Sequence, residues 1–297
     1  MTSPRYEATD QDGNSIGFRY HRVLVQERTQ YQEIQILESA QWGKVLLLDG
    51  EVQSSSVDEA LMNEIRAHVP FYSFSPEKIR EGISVLLVGG GNGSTLQELL
   101  KHEQIKLVDL VEIDSRVIEL CSIHIPESNQ GGKIFQNSRV NVCLAEGYQF
   151  LKEQSDKRYD LIIVDCTNPD SGDSLSGSFY HEDFFQIAKS RLSPAGILTI
   201  PTGVPTVQGS LVQRVLTAAR KHFLQAGFMK AHVPTFGLGQ WTVVWATNGM
   251  GLNENVNFRE NFRLFPVATN IYNPNAHFSS LHHDKWLQNL ERQKNHE

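Results

Sequence analysis

Between Ser84 and Asn248 the chain alternates short, almost wholly apolar runs with amphipathic ones, and this rhythm restricts the fold more than any other feature. The runs SVLLVGGG, KLVDLVEID, RVNVCLAEG, YDLIIVDC, GILTIPTG and WTVVWATN have the length and continuous hydrophobicity of strands buried on both faces. Between them, STLQELLKH, SRVIELCSIH, YQFLKEQ, FFQIAKSRL and VQRVLTAARKHF space their apolar residues for one face of a helix. Such alternation predicts a mainly parallel sheet covered on both sides by helices, an α/β architecture. Ligands of these sheets sit beyond the carboxyl ends of the strands, so the loops after the apolar runs are where function is expected.

Upstream the register changes. From Ile16 to Gln53 the stretches HRVLVQERT, YQEIQILES and GKVLLLDGEVQ alternate apolar and polar residues with turn signals between them, which predicts a small unit of half-buried antiparallel strands. Asp58 to Pro70 then reads as a helix, with Asp58 and Glu59 early in the run, where the helix dipole favours negative charge. Beyond Gly251 the sequence is polar, rich in Asn and His, and without strong periodicity. The expected division is an N-terminal β unit over 1–66, a main α/β unit over 67–250 and a C-terminal extension over 251–297.

Composition excludes several classes. With 40% hydrophobic and 21% charged residues the chain is ordinary globular material. A formal net charge of -7 argues against holding nucleic acid by phosphate neutralisation, which needs a basic surface. Cys121, Cys143 and Cys166 form no CxxC and no zinc-like spacing with histidine, so no metal is expected and a reducing compartment is. The N-terminus has no basic start followed by an apolar core, and no run reaches the roughly 18 apolar residues of a membrane span. The expectation is a soluble cytoplasmic protein with a small-molecule partner, no nucleic acid and no membrane.

The first strand of the alternating region ends in VGGGNGSTLQELL, placing Gly89, Gly90, Gly91 and Gly93 at a strand-to-helix turn, where glycine lets a ligand approach the backbone. The next strand ends VEID, with Glu112 about 20 residues on, where a carboxylate can accept both hydroxyls of a ribose. That pairing fits a dinucleotide or an S-adenosylmethionine-type ligand. LAEG at Leu144 to Gly147 and LIIVDCTNPD at Leu161 to Asp170 end further strands facing the same cleft.

With these residues the chain resembles the spermidine synthases and other polyamine aminopropyltransferases, from about Arg19 to Asn248. The matching motifs are YQEI, LLLDGEVQ, the helix from Asp58 to Glu64, the GGGxG turn, the EID strand end, Gly147 to Leu151, the VDxxxP loop and PTF at Pro234 to Phe236. The resemblance implies a Rossmann-like class I methyltransferase fold carrying a small N-terminal antiparallel β domain, and a homodimer or homotetramer. It implies that Gln32, Gly89, Gly91, Asn92 and Gly93 contact the sulfonium co-substrate, that Glu112 holds its ribose, and that Glu146 and Gly147 lie beside its adenine. Asp165 matches the acidic residue next to the reaction centre, as base or as holder of the attacking nitrogen. Gln53, Met62, Asn63, Asn168 and Phe236 fall on the acceptor side, and Cys166 to Tyr180 resembles a gate over the site.

The chain departs from the family where a dicationic diamine is held. GGGDG reads GGGNG, giving Asn92; DSSDP reads DCTNP, giving Asn168; a helix tyrosine reads Met62, and the tyrosine of PTY is Phe236. Each Asp-to-Asn change removes a partner for an ammonium, and hydrogen bonds to charged groups are worth roughly 1.5–3 kcal/mol. The expected reaction is therefore transfer of an aminopropyl-type group, aminopropyl or 3-amino-3-carboxypropyl, from decarboxylated or intact S-adenosylmethionine to an amine other than ordinary putrescine. An S-adenosylmethionine-dependent N-methyltransferase and a non-catalytic nucleoside-binding protein are the competing expectations. Cys166 is expected as a packed or pocket-lining thiol, Trp241 and Trp245 as packing residues, and His282 and His283 as solvated; Asp170, Asp173 and Glu182 are expected on a solvated loop face.

Overall fold

The computed structural model describes residues 4–9, 15–153, 156–166, 177–237 and 239–292. A hairpin of β1 (Arg5–Thr9) and β2 (Ser15–Arg19) precedes a four-stranded antiparallel sheet of β3 (Arg22–Arg28), β4 (Glu33–Ser39), β5 (Gly43–Leu48) and β6 (Glu51–Ser55), paired in that order. The turn from β5 to β6 is Asp49–Gly50, with φ of 48° and 81°. A two-residue loop with positive φ at both positions matches the twist of paired strands, which is why Asp-Gly is favoured there. Phe18, Leu37, Val45 and Leu47 form one small core with the hairpin, and Ile34, Ile36 and Leu46 form another with the apolar face of a helix described below.

α1 (Glu59–Tyr72) and α2 (Pro76–Glu81) lead into a seven-stranded sheet. Its strands are β7 (Ile83–Gly89), β8 (Ile105–Glu112), β9 (Val140–Leu144), β10 (Tyr159–Asp165), β11 (Leu192–Gly203), β12 (Gln225–His232) and β13 (Gln240–Thr247), in the order β12-β13-β11-β10-β7-β8-β9. The five strands from β11 to β9 are parallel, and β13 runs antiparallel to both β11 and β12. The helices among them are α3 (Ser94–Leu100), α4 (Ser115–His124), α5 (Gly147–Glu153), α6 (Glu182–Arg191) and α7 (Pro205–His222). Val85, Leu87, Leu161 and Ile163 face one core with α1 and α3, while Leu86, Val88, Ile162 and Val164 face a second with α6 and α7. Val117, Leu120 and Cys121 of α4 close the core under β4 and β5. The fold is thus the Rossmann-like α/β class with small N-terminal antiparallel sheets.

Two features differ from the pattern read in the sequence. The β12–β13 hairpin makes one edge antiparallel; β12 was hidden because QAGFMKAH mixes Gly227, Lys230 and His232 into its apolar run. The C-terminal segment, which lacks clear periodicity, nevertheless forms α8 (Phe258–Leu264), α9 (Pro274–Leu281) and α10 (Lys285–Arg292). These helices are short and set by caps and polar anchors: Asn273 caps α9 by accepting from the Asn275 and Ala276 amides. The buried Glu64 of α1 accepts the backbone N–H groups of Asn270, Ile271 and Tyr272 at 2.7–2.9 Å. His282 is exposed, but His283 is not solvated as expected: it stacks on Phe228 at 4.2 Å, and burial lowers its pKa to about 4. Trp245 is buried in the core and Trp241 packs on Phe236. Among the described residues no helix is long and apolar enough to cross a membrane.

Candidate active site

The chain leaves β7 toward β8 on one side and returns through β10 on the other, so the loops after β7 and β10 diverge from adjacent strand ends. Asp165 at the end of β10 is in register with Gly89 at the end of β7. A crevice opens at such a switch point. Here it is a cavity of about 510 Å³ lined by the β7, β8, β9 and β10 ends and roofed by the N-terminal sheet, with Gln32, Leu46, Leu48, Asp49, Glu51 and Gln53 contributing.

The glycine turn is shaped by what lies against it. Gly89 has a φ of 80°, and a Cβ there would meet the Asp165 carbonyl oxygen at 2.4 Å; a Cβ on Gly91 would meet Glu112 Oε2 at 2.6 Å. Glu112 sits in that gap. Its Oε2 accepts the Gly91 N–H at 3.0 Å and its Oε1 the Asp114 N–H at 3.0 Å, so backbone amides hold both oxygens at the edge of the cavity. Burial pushes the Glu112 carboxyl up to about 7, against the pull of the Asp114, Gly91 and Ile113 amides. Gln32 Nε2 donates to Asp114 Oδ2 at 3.2 Å, and Thr29 Oγ1 donates to the same oxygen at 2.7 Å, which ties the N-terminal sheet to the start of α4.

Asp165 closes the opposite side. Its Oδ2 accepts the Thr95 hydroxyl at 2.6 Å, and its Oδ1 is ion-paired with Arg66 of α1. Cys166 lines the cavity with its sulfur 3.5 Å from the Val88 carbonyl, and burial drives its thiol well above the usual range, so it is no nucleophile.

Of the residues read from the sequence, Gln32, Gly89, Gly91, Asn92, Glu112, Glu146, Gly147, Gln53 and Asp165 line this one cavity. Glu146 lies on the wall while capping α5, accepting the Tyr148 and Gln149 amides at 2.8 and 2.7 Å. Asn92 Oδ1 accepts the Ser94 amide at 3.1 Å. Gly93, with a φ of 86°, caps α3 and is set back from the cavity. Met62 and Asn63 are buried in α1 behind the wall, and Phe236 is set back on Trp241. The PTF segment is fixed by Asp58, which accepts the Thr235 amide at 2.9 Å instead of capping α1. Asn168, Asp170, Asp173 and most of the gate segment lie outside the described residues, and Glu182 pairs with Lys221. Sequence reading missed Arg66, Thr95 and Asp114. Arg66 lies three and four residues after Asn63 and Met62, a helical spacing that puts it on their face. Among the described residues no group of three or more His, Cys, Asp or Glu could hold a metal ion.

A mainly parallel α/β sheet with a glycine turn and the carboxylates of Glu112 and Asp165 facing one crevice suits a nucleoside-type ligand. Comparison with known proteins gives the family. Residues 59–259 match the Spermine/spermidine synthase domain, and residues 6–56 match the Spermidine synthase tetramerisation domain. Polyamine aminopropyltransferase 1 of Pseudomonas aeruginosa is 32% identical over 281 residues, 93% of each chain, and the Polyamine aminopropyltransferase of Escherichia coli O81 is 31% identical over 277 residues, 91% of each. A crystal structure of spermidine synthase in complex with the transition state analogue AdoDATO superimposes with a TM-score of 0.88 at 25% identity, covering 97% of this chain and 94% of the other. The Thermotoga maritima spermidine synthase shares the fold with a TM-score of 0.87, covering 98% of this chain and 95% of the other. The chain belongs to the spermine/spermidine synthase family and is an enzyme of the aminopropyltransferase type.

Proposed function

We propose that this enzyme transfers an aminopropyl-type group, aminopropyl or 3-amino-3-carboxypropyl, from decarboxylated or intact S-adenosylmethionine to a nitrogen of a small molecule other than ordinary putrescine. The observation that carries this reading is Glu112 and Asp165 facing one cavity from the ends of β8 and β10. Glu112 takes the two ribose hydroxyls, Gly89, Gly91 and Gly93 shape the turn that admits the donor, and Gln32 and Asn92 stand over its tail. Glu146 and Gly147 flank the base. Asn92, being neutral, accommodates a donor with or without a carboxylate.

Asp165 accepts an N–H of the incoming amine and aims its lone pair. That nitrogen attacks the carbon next to sulfur, the new N–C bond forms as the C–S bond breaks, and the electron pair returns to sulfur as a neutral thioether. The leaving group needs no acid, so orientation supplies much of the rate. Of the acceptor-side set, Gln53 lines the cavity, Met62 and Asn63 stand in α1 behind its wall and Phe236 is set back; with Asn168, none of the five offers a carboxylate to a second ammonium. Three units, 1–66, 67–250 and 251–297, divide the work, and a homo-oligomer assembled through the N-terminal unit acts in the cytoplasm; the tetramerisation-domain match supports the oligomer.

Titration calorimetry with both donor forms and with methylthioadenosine, followed by mass spectrometry of the nucleoside product, tests the reading. Methylthioadenosine release with an amine acceptor is the expected result. S-adenosylhomocysteine release would mean methyl transfer instead, and absence of donor binding would defeat the proposal.

A further inference from the structure

We propose that Arg66 selects the acceptor: the site takes an amine whose remainder carries no second positive charge, in preference to a diamine. This rests on the transferase reading above. The side chain of Arg66 is 9% exposed, and its Nη1 contacts Asp165, Thr95 Oγ1 at 3.3 Å and Asn63 Oδ1 at 3.5 Å. Its Nε is buried without a hydrogen-bond partner. A guanidinium taken out of water is tolerated when it is paired, and among the described residues Asp165 is the carboxylate with which it forms an ion pair.

The pairing changes the charge of the acceptor side. Asp165 contributes -1 and Arg66 +1, while Gln53, Met62, Asn63, Asn92 and Phe236 contribute nothing. Among the described residues the other carboxylates lining the cavity are Glu112, Glu146, Asp49 and Glu51. Glu112 is held by the Gly91 and Asp114 amides and Glu146 by the α5 amides, while Asp49 is exposed and Glu51 half-exposed at the β5–β6 turn. Among the described residues, the Arg66–Asp165 pair itself therefore offers a diamine held at Asp165 no net negative charge for its second ammonium and sets a like charge beside it, whose repulsion is strong where water is excluded. A neutral or anionic remainder meets no such repulsion. Asp165 retains lone pairs for one N–H of the attacking nitrogen, so the reaction itself is preserved. The amine nitrogen forms the N–C bond, the C–S bond breaks with its electrons going to sulfur, and the amine proton leaves to water.

The test uses three acceptors of equal length: 1,4-diaminobutane, 4-aminobutan-1-ol and 4-aminobutanoate. Donor binding is measured first by calorimetry on each variant, then kcat and KM for nucleoside product release with each acceptor. The expected wild-type preference for the better monoamine over the diamine is about ten- to hundred-fold in kcat/KM, the worth of one charged contact. R66M should shift that ratio toward the diamine by a similar factor with donor affinity unchanged, and R66K, which keeps the charge, should hold it. If R66M does not bind donor, R66Q takes its place. A wild-type preference for the diamine overturns the inference, as does a ratio unmoved by loss of the charge. Donor binding with none of the three acceptors alkylated also defeats acceptor selection while leaving the donor site standing. Failure of the wild type to bind either donor defeats this inference and the proposed function together.

Discussion

If Glu112 holds the donor as proposed, donor binding should depend on pH in a range where few carboxylates titrate. Burial holds its carboxyl at about 7, so roughly one-tenth is ionised at pH 6 and nine-tenths at pH 8. On the proposed reading the ionised form accepts from a ribose diol, whereas the neutral acid has turned one oxygen into a donor. With each charge-assisted contact worth roughly 1.5–3 kcal/mol, the ionised form is the binding-competent one. Affinity for methylthioadenosine should rise about tenfold from pH 6 to pH 8 and level off above. The assay is calorimetry at pH 6, 7 and 8, repeated in buffers of different ionisation enthalpy to count the proton released at low pH. Among the described residues no histidine lines the cavity, so none there masks this titration. E112Q should bind about ten- to hundred-fold more weakly at pH 8 and show no slope. Flat wild-type affinity across this range, or an unchanged slope in E112Q, would mean that Glu112 is not the group whose ionisation controls donor binding. Stability runs the other way: the native chain keeps this proton up to about 7, whereas unfolding returns the group to its ordinary value near 4.5. Its contribution to stability therefore falls as pH rises between those two values.

Three further perturbations probe other parts of the fold. D165N should retain donor affinity by calorimetry while lowering kcat by about a hundred-fold or more; equal loss of donor binding would move Asp165 out of the acceptor side. G91A places a Cβ 2.6 Å from Glu112 Oε2, so nucleoside affinity should fall by at least about tenfold with the thermal midpoint little changed, and unaltered affinity would show that the turn is not the donor's seat. E64A leaves three backbone amides at Asn270, Ile271 and Tyr272 without their acceptor, and urea unfolding should show a loss of about 3 kcal/mol or more; a loss below about 1 kcal/mol would mean the C-terminal helices hold without this strap.

The meeting of the glycine turn with Glu112 was legible because both sit at strand ends, and strand ends are what hydrophobic patterning locates best. Once SVLLVGGG and KLVDLVEID are recognised as neighbouring parallel strands, Gly91 and Glu112 have to meet, and they do. The C-terminal helices were illegible for the opposite reason: α9 is placed by an Asn273 cap and by Glu64, 206–208 residues away in sequence from the amides it holds. Tertiary anchors of that kind leave no local period. Arg66 falls between these cases. Its helical spacing from Met62 and Asn63 could be read, but not that it would spend its charge on Asp165 rather than on solvent.

That single contact reorders the meaning of the Asp-to-Asn changes. Taken one at a time, Asn92 and Asn168 read as lost ammonium partners and so as a weakened version of a diamine site. Arg66 adds a fixed positive charge where a weakened site would need only neutral residues, and a buried cation brings a desolvation cost that simple loss of function does not require. Neutral replacements with a positive residue behind the reacting carboxylate are what an acceptor without a second ammonium calls for. Asp165 also has a structural part in this arrangement: removed, it would leave Arg66 buried without its carboxylate partner, so the carboxylate proposed to aim the nucleophile also helps to hold α1 in place.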